Sequence, residues 1–262
     1  MSEAPLLSLH GIQRAYGAVQ AVRGVDLEIR AGEVLALCGD NGAGKSSLVK
    51  VIAGAHPPTG GTLLWRGAPL VLRSPEDALR QGIATIYQDL ALAPRMSIAQ
   101  NIFLGSELTR GLGVLRLLDK RRMTREAAGF MGRLGAAVTE MATPVERLSG
   151  GQRQAVALAR ALRWQAGLII LDEPTAALGV KETAVVLQLI RRLHAEGRAV
   201  LLVSHNMADV CAVATRVAIL KSGRKVIDRP TAGLDADTLA HMVMTGQEGD
   251  AAAAAGTVPL RA

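Results

Sequence analysis

Val34-Leu35-Ala36-Leu37-Cys38-Gly39-Asp40-Asn41-Gly42-Ala43-Gly44-Lys45-Ser46 is the most informative segment of this chain. A short aliphatic run of β-strand type ends at Cys38. It is followed by a glycine-rich turn and then by Ser46–Ala53, whose apolar residues recur at helical spacing. The turn has the form G-x-x-x-x-G-K-[ST], between a strand and a helix. Its glycines let the backbone wrap closely and aim N–H groups inward at phosphate oxygens. The helix starting near Gly44 adds the positive end of its dipole. Lys45 brings a mobile charge for β- and γ-phosphates, and the Ser46 hydroxyl can ligate Mg²⁺. The reading is therefore a phosphate cradle made of Gly39, Asp40, Asn41, Gly42, Ala43, Gly44, Lys45, Ser46 and Ser47.

Two further short apolar runs, Leu168–Leu171 and Ala199–Val203, resemble the first. Such runs mark strands buried on both faces of a parallel sheet. Helical patterns follow them at Lys181–Ala195 and Met207–Ala214, which gives the βαβ alternation of an open α/β sheet. The first 33 residues instead alternate apolar and polar, as antiparallel strands with glycine turns do. Residues 90–165 offer no good strand and read as a helical insertion with segments Ile98–Leu104, Thr124–Leu134 and Gly151–Arg163. The expected organisation is one unit over 1–247, its helical part at about 90–165, followed by a frayed, low-complexity tail over 248–262. No internal repeat is visible.

Composition excludes several classes. The chain has 262 residues, 49% apolar and 20% charged, with 28 glycines of no fixed period, so it is neither collagen-like nor low-complexity overall. Two each of Phe, Trp and Tyr are too few for a base-stacking nucleic-acid module. Two cysteines make no disulfide framework and sit in no metal-type spacing, which points to a reducing cytosol. The N-terminus lacks a signal-type pattern, and no apolar run approaches the ~18 residues of a membrane span. A net charge of +7 admits anionic partners without choosing among them.

Leu168-Ile169-Ile170-Leu171 ends in Asp172-Glu173. Ligands gather at the carboxyl ends of parallel strands, so Asp172 is expected beside the phosphate cradle, holding Mg²⁺. Glu173, facing the other way, is the candidate to orient or deprotonate a water. Between these elements lies Leu148-Ser149-Gly150-Gly151-Gln152, a second turn of phosphate-nest type at a helix start. One γ-phosphate has no use for two nests from one chain, so two chains sandwiching the nucleotide make better sense.

Leu-Ser-Gly-Gly-Gln, with the phosphate loop and the acidic strand in order over residues 6–246, resembles the ATP-binding-cassette ATPases. The resemblance implies a P-loop core of mostly parallel sheet, an antiparallel N-terminal part and a helical insertion. It implies that Tyr16 stacks on adenine and that Gln88 touches Mg²⁺ and water. It also implies that His205 contacts the γ-phosphate and that Ser149, Gly150, Gly151 and Gln152 close on the ATP held by an opposite protomer. Lys45, Gln88, Glu173 and His205 become the catalytic set, and Ser46, Gln88 and Asp172 the Mg²⁺ set. One element departs: the family's usual Ser-Ala-Leu-Asp is here Ala176-Ala177-Leu178-Gly179, without the interface carboxylate.

PTAALGVKET, the stretch from Ser74 to Gly105 and the late HMVMTG look like the ATPases of bacterial importers for ribose, xylose or fructose. The resemblance then implies a homodimer on the inner face of the cell membrane. Its partners would be transmembrane permease subunits and, indirectly, a periplasmic sugar-binding protein, with no nucleic acid. A soluble cassette ATPase acting on ribosomes or DNA is the alternative, though no coiled-coil or zinc insert accompanies it. A P-loop kinase would leave Leu148–Gln154 idle.

Overall fold

The computed structural model describes residues 4–248 apart from 112–116, 137, 139 and 177. In chain order the elements are β1 (Leu7–Tyr16), β2 (Val19–Ile29), β3 (Val34–Cys38), α1 (Lys45–Ile52), β4 (Gly60–Trp65), β5 (Ala68–Leu70), α2 (Pro75–Arg80) and β6 (Ile83–Ile86). Then come α3 (Ile98–Phe103), β7 (Thr109–Arg110), β8 (Leu117–Leu118), α4 (Lys120–Arg133), a 3₁₀ turn at Val145–Arg147, and α5 (Gly150–Arg163). The last group is β9 (Leu168–Asp172), α6 (Val180–Ala195), β10 (Ala199–Val203), α7 (Met207–Val213), β11 (Arg216–Lys221), β12 (Arg224–Pro230) and α8 (Ala236–Thr245).

The central sheet has the order β12-β11-β3-β10-β9-β6, all parallel except β12. Because side chains alternate across a strand, the continuous apolar runs feed two cores. Leu35, Leu37, Leu168, Ile170, Leu201 and Val203 face one core, which holds α1 and the antiparallel strands. Val34, Ala36, Ile169, Leu171, Val200 and Leu202 face the other, which holds α3 to α8. All five residues of β3 are fully buried. Truncating one of its leucines to alanine would cost about 2–5 kcal/mol.

The N-terminal strands do pair antiparallel, and β4 and β5 extend them into a separate sheet, β2-β1-β4-β5. Arg216 ties that sheet to the core: it binds both carboxylate oxygens of Asp228 at 2.6 and 2.9 Å, Glu33 at 3.2 Å, and the Glu28 carbonyl. The stretch read as strand-free contains the short β7–β8 ladder, so that reading is corrected at Thr109–Arg110 and Leu117–Leu118. Its helices fall at α3, α4 and α5, with α4 beginning at Lys120 rather than Thr124. Strand β6 and the β11–β12 hairpin, which turns at Ser222-Gly223 with φ of 48° and 79°, escaped the sequence reading, although Val217–Leu220 is as long an apolar run as Leu168–Leu171. Of the tail expected over 248–262, all but Glu248 lies outside the described residues, as does Ala177.

Candidate nucleotide site

Strand β3 delivers the chain to the loop at the carboxyl edge of the sheet. Gly39 has φ +147°, and a Cβ there would stand 2.3 Å from the Leu220 carbonyl oxygen. Gly44 has φ +102°, and its Cβ would meet the Ala21 carbonyl at 2.4 Å. Glycine is obligatory at both positions because β11 and β2 press the loop into shape. Helix α1 then starts without a side-chain cap and without an acidic residue in its first turn. Every other α-helix among the described residues has an N-cap side chain or an N3 glutamate at its start. The first-turn N–H groups of α1 therefore have no protein partner and point a positive field outward.

Lys45 is buried, and its Nζ donates to the carbonyls of Gly39 at 2.6 Å and Asp40 at 3.0 Å. An ammonium has three protons, so one donor remains for an anion. The loop floors a cleft of about 530 Å³ walled by Val19, Arg23 and Gly223. Arg23 is a cation on this wall that no motif announces. Beneath the loop, burial pushes the Cys38 thiol up to about 12 despite nearby Lys45, which keeps it protonated and inert.

Asp172 ends β9, one strand removed from the β3 strand that feeds the loop, and lies near enough to the loop for Lys45 to act on its carboxyl. Strand β10 runs between them, with Val203 opposite both Leu37 and Asp172. His205, just past β10, thus stands between the loop and the two carboxylates. Burial raises the Asp172 carboxyl above the usual range, neighbouring Glu173 adds to this, and Lys45 and Lys50 oppose it. Glu173 takes φ +53°, a left-handed conformation that costs a non-glycine residue on the order of 1 kcal/mol. Its N–H donates to the Val203 carbonyl at 2.9 Å, and its Oε2 lies 2.7 Å from His205 Nδ1. The strained backbone aims the carboxylate at the histidine. His205 also lines a second cleft, of about 370 Å³, with Gly39, Asp40, Asn41 and Met244 of α8.

Ser46 is exposed and its hydroxyl bonds no described side chain or carbonyl. With Asp172 it supplies hard oxygen donors of the kind Mg²⁺ takes beside a phosphate. Among the described residues no cluster of three or more His, Cys, Asp or Glu stands ready to hold a metal. Such a pair fits a cation whose other ligands come from nucleotide and water.

Tyr16 ends β1 with its hydroxyl 2.8 Å from His56 Nδ1, and the Arg14 guanidinium lies 4.6 Å from its ring centroid. One face is thus occupied, and it is Val19 and Gln20, across the hairpin, that line the loop's cleft. Gln88 follows β6 and is exposed. It lines a different cleft, with Glu146, Gly150, Arg153 and Pro174, rather than the loop's.

The Ser149 turn differs from the first nest. Ser149 Oγ accepts from the Gln152 N–H at 3.3 Å, and Gln152 Oε1 accepts from the Ser149 N–H at 3.0 Å, which closes a capping box. The Gly150 N–H is taken by Glu182 Oε1 at 2.8 Å. The second nest is therefore not complete, as the sequence reading had it: the Gly151 N–H and the Ser149 hydroxyl proton are what it has to offer. Ser149 and Gly151 line a cleft with Lys181 and Glu182, separate from the one that the phosphate loop floors.

An uncapped P-loop helix start, a carboxylate pair at the sheet edge and a separate Ser-Gly-Gly helix start define a P-loop nucleotide-binding cassette. The chain belongs to the ABC transporter family, whose sequence profile matches residues 22–176. It is 45% identical to the xylose/arabinose import ATP-binding protein of Sulfolobus acidocaldarius, over 86% of this chain and 88% of that protein. It is also 45% identical to the fructose import ATP-binding protein of Rhizobium meliloti, with the same coverage of each chain. The ribose import ATP-binding protein of Yersinia pestis is 41% identical over 93% of this chain, which spans about half that relative's length (47%). The fold matches a solved ATP-binding cassette of an ABC transporter in its ADP conformation, with TM-score 0.77, 21% identity, and coverage of 92% of this chain and 96% of that one. It also matches a dimeric cassette in a post-hydrolysis state bound to ADP and Pi, with TM-score 0.71, 24% identity, and coverage of 87% and 100%.

Proposed function

We propose that this chain is the ATP-hydrolysing subunit of an importer for a monosaccharide. Two copies would clamp two ATP molecules, each between one copy's phosphate loop and the other's Ser149 turn. The observation that carries this reading is the contrast between the two helix starts. One offers a set of free donors and Lys45; the other offers only the Gly151 N–H and the Ser149 hydroxyl, in a separate cleft. A nucleotide touching both needs two chains.

In this reading Asn41 to Ser47 and Lys45 hold the β- and γ-phosphates, and the free face of the Tyr16 ring receives adenine. Ser46 and Asp172 hold Mg²⁺, with Gln88 assigned by family likeness. Bound there, the cation supplies Lewis-acid polarisation of the phosphate oxygens. Glu173 takes a proton from water as the water oxygen bonds to the γ-phosphorus. The bond to the bridging oxygen breaks, and ADP and phosphate leave. His205 Nδ1 lies against the Glu173 carboxylate, and the same ring is the group assigned by family likeness to contact the γ-phosphate. Closed dimers form because ATP makes both sets of contacts only there, and they open once the γ-phosphate is gone.

The sugar and the direction of transport come from the relatives' names; the permease subunits, the indirect periplasmic sugar-binding protein and the place on the inner face of the membrane come from the family resemblance. No helix among the described residues is long and apolar enough to cross a membrane. The relatives reported above are all named for sugar import, and a ribosome- or DNA-directed role has no support among them. The test is capture from detergent-solubilised native membranes followed by mass spectrometry. A co-purifying multi-helix permease is expected. Ribosomal or DNA-repair proteins in its place, with no membrane protein, would overturn the transport reading and leave the ATPase intact.

A further inference from the structure

The donors at the start of α5 can be accounted for one by one. The Gln152 N–H goes to Ser149 Oγ, the Arg153 N–H to the Ser149 carbonyl at 2.9 Å, and the Gly150 N–H to Glu182 Oε1. Glu182 reaches there from the first turn of α6, across 32 positions of sequence. Its other oxygen, Oε2, accepts from the Gly179 N–H at 3.4 Å, which caps α6 where Gly179 has no side chain to do so. One carboxylate thus bridges the positive ends of two helices, the arrangement in which a buried or half-buried anion is best stabilised. The fit is tight. A Cβ on Gly150 would stand 2.5 Å from Leu178 Cδ2 and 3.3 Å from both Glu182 oxygens.

We propose that Glu182 is a positioning residue for the hydrolytic sandwich. It locks the first turn of α5 onto the start of α6, so that the Ser149 hydroxyl and the Gly151 N–H are presented together to the partner's γ-phosphate. By consuming the Gly150 N–H it leaves a single docking point at this helix start. The same carboxylate joins that docking point to the segment that follows Glu173. Movement at the catalytic carboxylate and movement at the Ser149 turn are thereby mechanically linked. The proposal rests on the two-chain reading above.

The test uses the full chain with Glu182→Ala, Glu182→Gln and Glu182→Asp, each alone and with Ser149→Ala. ADP binding is measured by calorimetry and ATP turnover at saturating ATP. Glu182→Ala is expected to lower kcat about tenfold while ADP affinity changes less than about twofold, the pattern of an interaction made only when the sandwich reacts. Glu182→Gln keeps an oxygen for the Gly150 N–H and recovers most of the rate. Glu182→Asp, one methylene short, does not. In the Ser149→Ala background the Glu182→Ala loss should shrink below about twofold, because both changes disable one contact. A loss that persists in full there, or equal rates for Gln and Asp, overturns the proposal. If the alanine variant fails to fold, the Gln–Asp pair decides alone. If wild-type protein neither binds ADP nor turns over ATP, or Ser149→Ala by itself changes nothing, it is the two-chain reading that has failed.

Discussion

Helices α1 and α5 both begin with glycine-rich turns, and they treat their backbone donors in opposite ways. At α1 no side chain caps the helix, and Lys45 lies folded against the carbonyls of Gly39 and Asp40. At α5 a capping box and the Glu182 carboxylate use nearly every donor, and little is left to offer. Glycine content is the same signal in both places. Whether a helix start can bind an anion depends on which N–H groups are already satisfied, and that is a property of neighbours in space.

Substitutions at the two starts should separate binding from turnover. The largest effect is expected at the carboxylate beside the α1 loop. Glu173→Gln should retain ATP binding and lower phosphate release by about 10²–10⁴-fold, the range of a general base. Undiminished release would remove Glu173 from that role. Next, Lys45→Ala should weaken ADP binding about 10- to 100-fold, as loss of a charge-assisted contact does. Ser149→Ala should leave ADP affinity of the isolated chain unchanged, and equal losses for the two in calorimetry would erase the distinction between the helix starts.

Stability should report the reverse order. Ser149→Ala removes a cap and should cost about 1 kcal/mol in urea unfolding. Ser46→Ala, at a start with no cap to lose, should stay within about 0.5 kcal/mol. The smallest effect is electrostatic. Burial and Glu173 raise the Asp172 carboxyl while Lys45 lowers it, so Lys45→Ala should move its titration further up and Glu173→Gln should move it down. Carbon-13 NMR of the carboxyl signal would follow both, and a shift of opposite sign in either variant would place those charges elsewhere.

The parts of the site that could be read in the sequence are those made by consecutive residues. Strand β3 runs from Val34 to Cys38 as read, and α1 begins one residue before the Ser46 expected. Asp172 ends β9 with Glu173 just beyond it, and Ser149 caps α5, because strand ends and capping boxes are local patterns. The Glu173–His205 pair at 2.7 Å was not readable, since 31 intervening residues hide which strand ends meet. Nor were Arg23 and Met244 in the clefts, the His56 partner of Tyr16, or Glu182 under Gly150. Each reaches its partner across elements that are distant in sequence, a meeting that no local pattern records.

Residue spacing alone was enough for the phosphate loop and the strand-and-helix alternation, because the periods of helix and strand and the freedom of glycine act over a few consecutive residues. The family came from resemblance, through Leu148–Gln152 and the motifs that accompany it in order. The strand order was settled by packing across two cores. That order puts β10 and His205 between the loop and Asp172, and packing likewise closes one nest while leaving the other open. Hydrogen-bond donors are claimed by whichever acceptor folding brings within reach, and sequence distance carries no record of that reach.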